Sequence, residues 1–135
     1  MLREITVNTK DRSQFVDVTA QVRRVVSDAG MESGIVNLFV PHTTAGVTIN
    51  ENADPSVQSD MLRGLAEIAP ESQGFYRHAE GNSDSHIKAS LVGASEQILV
   101  DSGRLVLGTW QGIYFAEFDG PRTRKLHIKL QPDPA

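Results

Sequence analysis

The segment Pro41-His42-Thr43-Thr44-Ala45-Gly46-Val47-Thr48-Ile49-Asn50-Glu51 places an imidazole, two adjacent hydroxyls, an amide and a carboxylate on one short stretch. That is more chemistry than a connection between strands requires. Two further segments carry histidines that suit it as partners, at His78 and His86. The chain has no cysteine, so disulfides and thiolate metal sites are excluded, and a transition metal has to be held by His, Asp or Glu. His42, His78 and His86 are the candidate ligands for a divalent metal, with zinc the expected ion. No two of them share a ligand spacing of the His-x-x-x-His kind. The competing reading is that they satisfy hydrogen bonds in loops. His127 alternates with Lys125 and Lys129 on a polar strand face and is left out of the group.

Glu51 beside Asn50 has the makings of a general base with an orienting amide. The same pair leads into a helix, so a capping or turn role stands beside it. Thr43, Thr44, Asn82 and Ser83 are neutral donors near loop and helix starts, suited to an anion such as phosphate. Arg122, Arg124 and Lys125 add charge, and arginine matches phosphate through paired donors. Ordinary capping and a basic strand edge account for these residues as well. Trp110, between glycine-bounded stretches, is either a packing anchor or a wall for a heteroaromatic ligand.

The elements that must position these groups follow from the periodicity. Leu2 to Val7 alternates as a half-buried strand, and Phe15 to Val18 is a short second one. Thr19 reads as an N-cap before a helix with Val22, Val25, Val26 and Ala29 on one face, closed by Gly30. Ile35 to Val40 is apolar on both faces and ends at Pro41. Gly46 to Asn50 is the next strand. Asp54-Pro55 opens a helix whose stripe Val57, Met61, Leu65 and Ile68 is expected to be buried, and Pro70 stops it. Glu71 to Gly81 is an irregular loop. A third helix spans about Asp84 to Val92, capped by Asn82 or Ser83, with Asp84 and Lys88 as an i,i+4 pair. Its side bearing Asn82, His86, Ala89 and Ser90 is small and polar, which suits lining a site. The last third is β: Gln97 to Val100, Arg104 to Leu107, Ile113 to Phe118, and a final strand with Leu126, Ile128 and Leu130 inward. Gln131 to Ala135 is expected to be a loose tail. The fold class is α+β, one domain over residues 1–135, with a mostly antiparallel sheet system and about three helices.

Composition sets the bounds. A length of 135 residues with 39% hydrophobic and 22% charged residues suits a single globular domain with a real core. The net charge of −4 argues against nucleic acid as the main partner. No apolar run is long enough to span a membrane, and Met1 to Ile5 lacks the core of a signal peptide, so the expected location is the cytoplasm. No Walker loop, dinucleotide fingerprint or nucleophile elbow is present.

Pro41-His42-Thr43-Thr44-Ala45, Asn50-Glu51-Asn52-Ala53-Asp54-Pro55, Asn82-Ser83-Asp84-Ser85-His86-Ile87-Lys88, Gly108-Thr109-Trp110-Gln111-Gly112 and Gly120-Pro121-Arg122 occur in that order over nearly the whole chain. As a set they resemble the YjbQ-like family, described as secondary thiamine-phosphate synthases. The resemblance implies a compact sandwich-like α+β fold, assembly as a homotrimer, and a site near subunit contacts built from His42, Asn50, Glu51, His78 and His86. The activity it implies joins a hydroxymethylpyrimidine diphosphate to a thiazole phosphate with release of diphosphate. Lys88, Arg122, Thr43 and Thr44, or a metal, would meet the departing diphosphate, and Glu51 would stabilise the pyrimidine cation. A metal-dependent hydrolase of a phosphorylated metabolite, and a trimeric module that binds a metal or metabolite without turnover, are the alternatives.

Overall fold

The structure, a computed structural model, describes residues 1–135. In chain order the elements are β1 (Leu2–Asn8), β2 (Gln14–Asp17), α1 (Thr19–Ala29), β3 (Gly34–Phe39), β4 (Ala45–Glu51), α2 (Pro55–Ile68) and α3 (Ser83–Val92). They are followed by β5 (Ser95–Asp101), β6 (Arg104–Leu105), β7 (Gln111–Glu117) and β8 (Thr123–Pro132). Two sheets form, ordered β1-β8-β3-β5-β6 and β2-β7-β4. Every pairing is antiparallel. This is the α+β class with three helices.

The main core draws on both sheets and on α1. Val36 and Leu38 of β3, Ile98 and Val100 of β5, and Leu126, Ile128 and Leu130 of β8 meet Val47 of β4 and Ile113 and Phe115 of β7. Each large side chain removed from water here stabilises the fold by about 1.5–3 kcal/mol. The inward parity of β8 is the one its alternation predicts. Every residue of β7 from Gly112 to Glu117 is buried, because its second face is covered too. There Ala116 and Phe118 pack with Ala89 of α3, and Leu65 and Val92 lie against them. A Cβ on Gly46 would stand 2.5 Å from the Gly93 carbonyl oxygen, so glycine is what lets the end of α3 approach β4.

Several expectations need correction. Thr19 is the first residue of α1 rather than its cap, and the Asp17 carboxylate accepts from both its N–H (2.9 Å) and its hydroxyl (2.6 Å). The freed hydroxyl oxygen of Thr19 accepts the Ile113 N–H, tying α1 to β7. β6 is shorter than the strand read over residues 104–107. The tail is not loose at Gln131 and Pro132, which lie opposite Ile35 and Gly34, and the Asp133 N–H donates to the Ser33 carbonyl. The stripe of α2 is not buried: no residue of that helix is, and Ile68 is 68% exposed. Its start is as expected, with the Asp54 carboxylate accepting the Ser56 N–H and Pro55 opening the helix. No helix is long and apolar enough to cross a membrane.

Candidate functional site

His42, Thr43 and Thr44 sit on the corner between β3 and β4, and three other segments meet them there. The loop before α3 brings His78 and Glu80, the N-cap and first turn of α3 bring Asn82 and His86, the β7–β8 connection brings Asp119 and Arg122, and the start of β8 brings Arg124. Together with Pro41 they line a cleft of about 530 Å³ with no hydrophobic residue in its wall. A second cleft of about 510 Å³, with Phe75, Tyr76 and Ile87 in its wall, shares His78 and His86 with the first. The two imidazoles stand edge to face with centroids 5.4 Å apart. The three histidines thus gather at one place from three separate segments.

Hydrogen bonds decide what each group can do. The Lys125 N–H donates to His42 Nε2 at 2.9 Å, so the lone pair is on Nε2 and the proton of the neutral ring is on Nδ1. Burial, and then the nearby Arg124 charge, hold His42 below its ordinary value of 6.5 and keep it neutral. The free ring nitrogen of His42 is therefore an N–H donor. A metal ion would need a lone pair that this ring has already committed. No group of three or more His, Asp or Glu side chains is arranged to hold a metal ion. The expected zinc site does not fit the residues as they stand.

Two buried charges anchor the cleft: Arg124, expected as part of a basic strand edge, and Glu117, which was not among the candidates. Glu117 is fully buried, and its carboxylate accepts from the Thr9 hydroxyl, the Arg124 guanidinium, and the N–H groups of Phe118 and Asp119. Burial alone would raise its pKa, but the bonds from Arg124 and Thr9 outweigh this and hold it below the usual carboxylate value. Arg124, 5% exposed, also donates to Thr44 Oγ1 at 2.8 Å. The sequence carried a signal for the burial of both. Arg124 shares the inward parity of Leu126 and Leu130, and Glu117 is the lone charge in an otherwise buried strand.

Asp119 and Asn82 form the opposite wall. The Asn82 Nδ2 donates to Asp119 at 2.8 Å, and Arg122 donates to the same carboxylate oxygen at 3.1 Å. Burial opposes ionisation of Asp119, yet these bonds leave its pKa lowered overall. Asn82 thus caps α3 by position without a side-chain cap bond, and its Oδ1 is buried with no partner. The turn that carries Asp119 is tight: a Cβ on Gly120 would stand 2.3 Å from the Asp11 carbonyl oxygen.

Other expected site residues lie elsewhere. Lys88 is buried and its ammonium donates to Asp84 at 2.8 Å, while Arg12 holds the other oxygen of that carboxylate at 3.0 Å. Lys88 is therefore a structural ion pair and not a wall of the cleft. Asn50 and Glu51 occupy the far end of β4, about 20 Å from Ala45 at roughly 3.3 Å per residue. The Asn50 side chain bonds to its neighbour's N–H and to the Met61 sulfur. Trp110, 63% exposed, stands at that same end, where its carbonyl accepts the Asn52 N–H. It is not a core anchor, and the chain does not bring Asn50, Glu51 or Trp110 to the histidines.

A family profile described as UPF0047 protein YjbQ-like matches residues 3–133. The chain belongs to the YjbQ-like UPF0047 family. The UPF0047 protein YugU of Bacillus subtilis is 51% identical over 130 residues, covering 96% of this chain and 98% of its own. A YjbQ-like UPF0047 relative from Methanocaldococcus jannaschii is 49% identical over 133 residues, 98% of this chain and 96% of its own. The crystal structure of a YjbQ/UPF0047 protein from Clostridium acetobutylicum shares 52% identity and superposes with a TM-score of 0.93, covering 96% of this chain and 99% of that one. A YjbQ-like structure from Sulfolobus solfataricus gives the same TM-score at 32% identity, over 98% and 97% of the two chains. The two-sheet α+β fold described above is thus the fold of the YjbQ-like family.

Proposed function

We propose that the protein is an enzyme acting on a small phosphorylated metabolite, with the phosphate held in the His42–Arg124 cleft. The observation that carries this reading is the wall itself. Arg124, Arg122, His42, Thr43 and Thr44 line a space free of apolar side chains, together with the Glu80 and Asp119 carboxylates. Fixed donors of this kind stabilise the charge that develops on a departing phosphate oxygen. The neighbouring cleft with Phe75, Tyr76 and Ile87 offers apolar surface to a ring.

Both features suit the synthase-type reaction. The bond between the pyrimidine methylene carbon and the diphosphate oxygen breaks, and its electron pair leaves with diphosphate. The thiazole ring nitrogen then forms the new bond to that carbon. Within one chain the carboxylates beside the cleft are Glu80 and Asp119, and a role for Glu51 requires a second chain to deliver it. We assign the protein to homotrimers in the cytoplasm.

The remoteness of Asn50 and Glu51 favours one second reading, a module that binds the phosphorylated ligand without turnover. Phosphorus NMR of the protein with both phosphorylated substrates separates the two. Substrate-dependent release of diphosphate, lost in Arg124→Ala, supports the enzyme. Saturable binding with no diphosphate supports the module. Absence of any phosphate binding rejects both.

A further inference from the structure

We infer that Glu117 is the positioning residue that makes Arg124 the phosphate-recognising donor of the cleft. The inference rests on the reading of that cleft as a phosphate site. Arg124 commits Nε to Glu117 at 2.8 Å and Nη2 to both Glu117 and Thr44. Its second terminal nitrogen, Nη1, has no hydrogen-bond partner in the protein and is not among the fully buried unpartnered atoms, and Arg124 lines the cleft. The guanidinium is thus clamped on two of its three nitrogens, and the third is free to donate. Glu117 is clamped in turn by the Thr9 hydroxyl at 2.8 Å and by two backbone N–H groups at 3.1 Å. Such a donor needs no reorganisation when an oxyanion arrives. Arg122 differs: its side chain is 53% exposed and held only by the Asp119 turn.

The bland alternative is that the pair only joins β7 to β8. A buried ion pair is a weak source of stability, since well-packed apolar residues of similar volume do as well or better. Strand joining alone therefore does not account for a charged pair at this position, whereas presentation of Nη1 to the cleft does. The same strand fixes the second donor. Lys125, next to Arg124, donates the N–H that sets the His42 tautomer.

The test is calorimetric titration of inorganic phosphate into wild type, Glu117→Gln, Arg124→Lys and the double variant, with a melting curve for each. The expected result is binding weakened about tenfold or more by either single change, with the double variant within about twofold of the weaker single. Glu117→Gln that melts lower yet binds phosphate as wild type does would overturn the inference, as would single effects that multiply in the double variant. If Glu117→Gln does not fold, Arg124→Lys keeps the charge and removes the fork, so unchanged affinity there overturns it equally. Failure of wild type itself to bind phosphate would reject the phosphate cleft, and this inference with it. Binding that ignores Glu117 would reject the inference alone.

Discussion

At the scale of single residues, neutral His42 is the group whose chemistry the surroundings fix most tightly. Its lowered pKa means that the unfolded chain takes up the proton first as pH falls, so His42 contributes stability that is lost below about pH 6.5. Glu117 and Asp119, both lowered, contribute stability present above their ordinary values of 4.5 and 3.8 and lost as pH falls through their folded values. The melting temperature is therefore expected to decline below pH 6.5 and more steeply below 4.5, with Glu117→Gln flattening the acid limb. Stability that rises between pH 7 and pH 5 would contradict this. His42→Ala should weaken phosphate binding about tenfold, the scale of one hydrogen bond to a charged group. The sequence showed His42, Thr43, Thr44, Asn82, His78, His86 and Arg122 because they stand at corners and helix starts, where polar groups are free to act. It showed the His42 imidazole but not its tautomer, which depends on a backbone N–H 83 positions away.

At the scale of elements, α3 is the one that positions the site, and it does so through buried charge. Asp84 is fully buried between Lys88 and Arg12, and Ser85 donates to the Phe118 carbonyl. Lys88→Ala leaves the Asp84 carboxylate short of a partner, at a cost of about 3–5 kcal/mol for a broken buried pair. A fall in melting temperature of about 10 °C or more is expected. Phosphate affinity of the folded variant should stay within about twofold of wild type. Weakened phosphate binding at an unchanged melting temperature would instead put Lys88 in the site. The i,i+4 spacing of this pair was legible, but its burial was not, because it depends on Arg12 and on the β7 layer beneath. The α2 stripe was legible as an apolar face. The sequence could not say that the chain covers it only in part.

At the scale of the whole molecule, that partly covered stripe, with Val57, Met61 and Leu65 half-buried and Ile68 exposed, supports the proposed homotrimer. A short helix gains most of its stability by packing its apolar face. Light scattering should give the mass of three chains, and Ile68→Glu should lower it. A single-chain mass for wild type would contradict the assembly. The role expected of Glu51 is tied to the same question, since β4 holds it far from the histidines. If a neighbour delivers Glu51, mixing inactive His42→Ala with inactive Glu51→Gln subunits should restore part of the activity. The antiparallel α+β class was legible in the alternation of the strands, but the division into two sheets was not. Strand order was not, because β8 lies between β1 and β3 through contacts that span the chain.

The most direct test of the central claim is a crystal structure of the protein soaked with a phosphate ester. A phosphate group is expected in the cleft, with oxygens within hydrogen-bonding distance of Arg124 Nη1 and His42 Nδ1. A phosphate bound elsewhere, with that cleft holding only water, would contradict it.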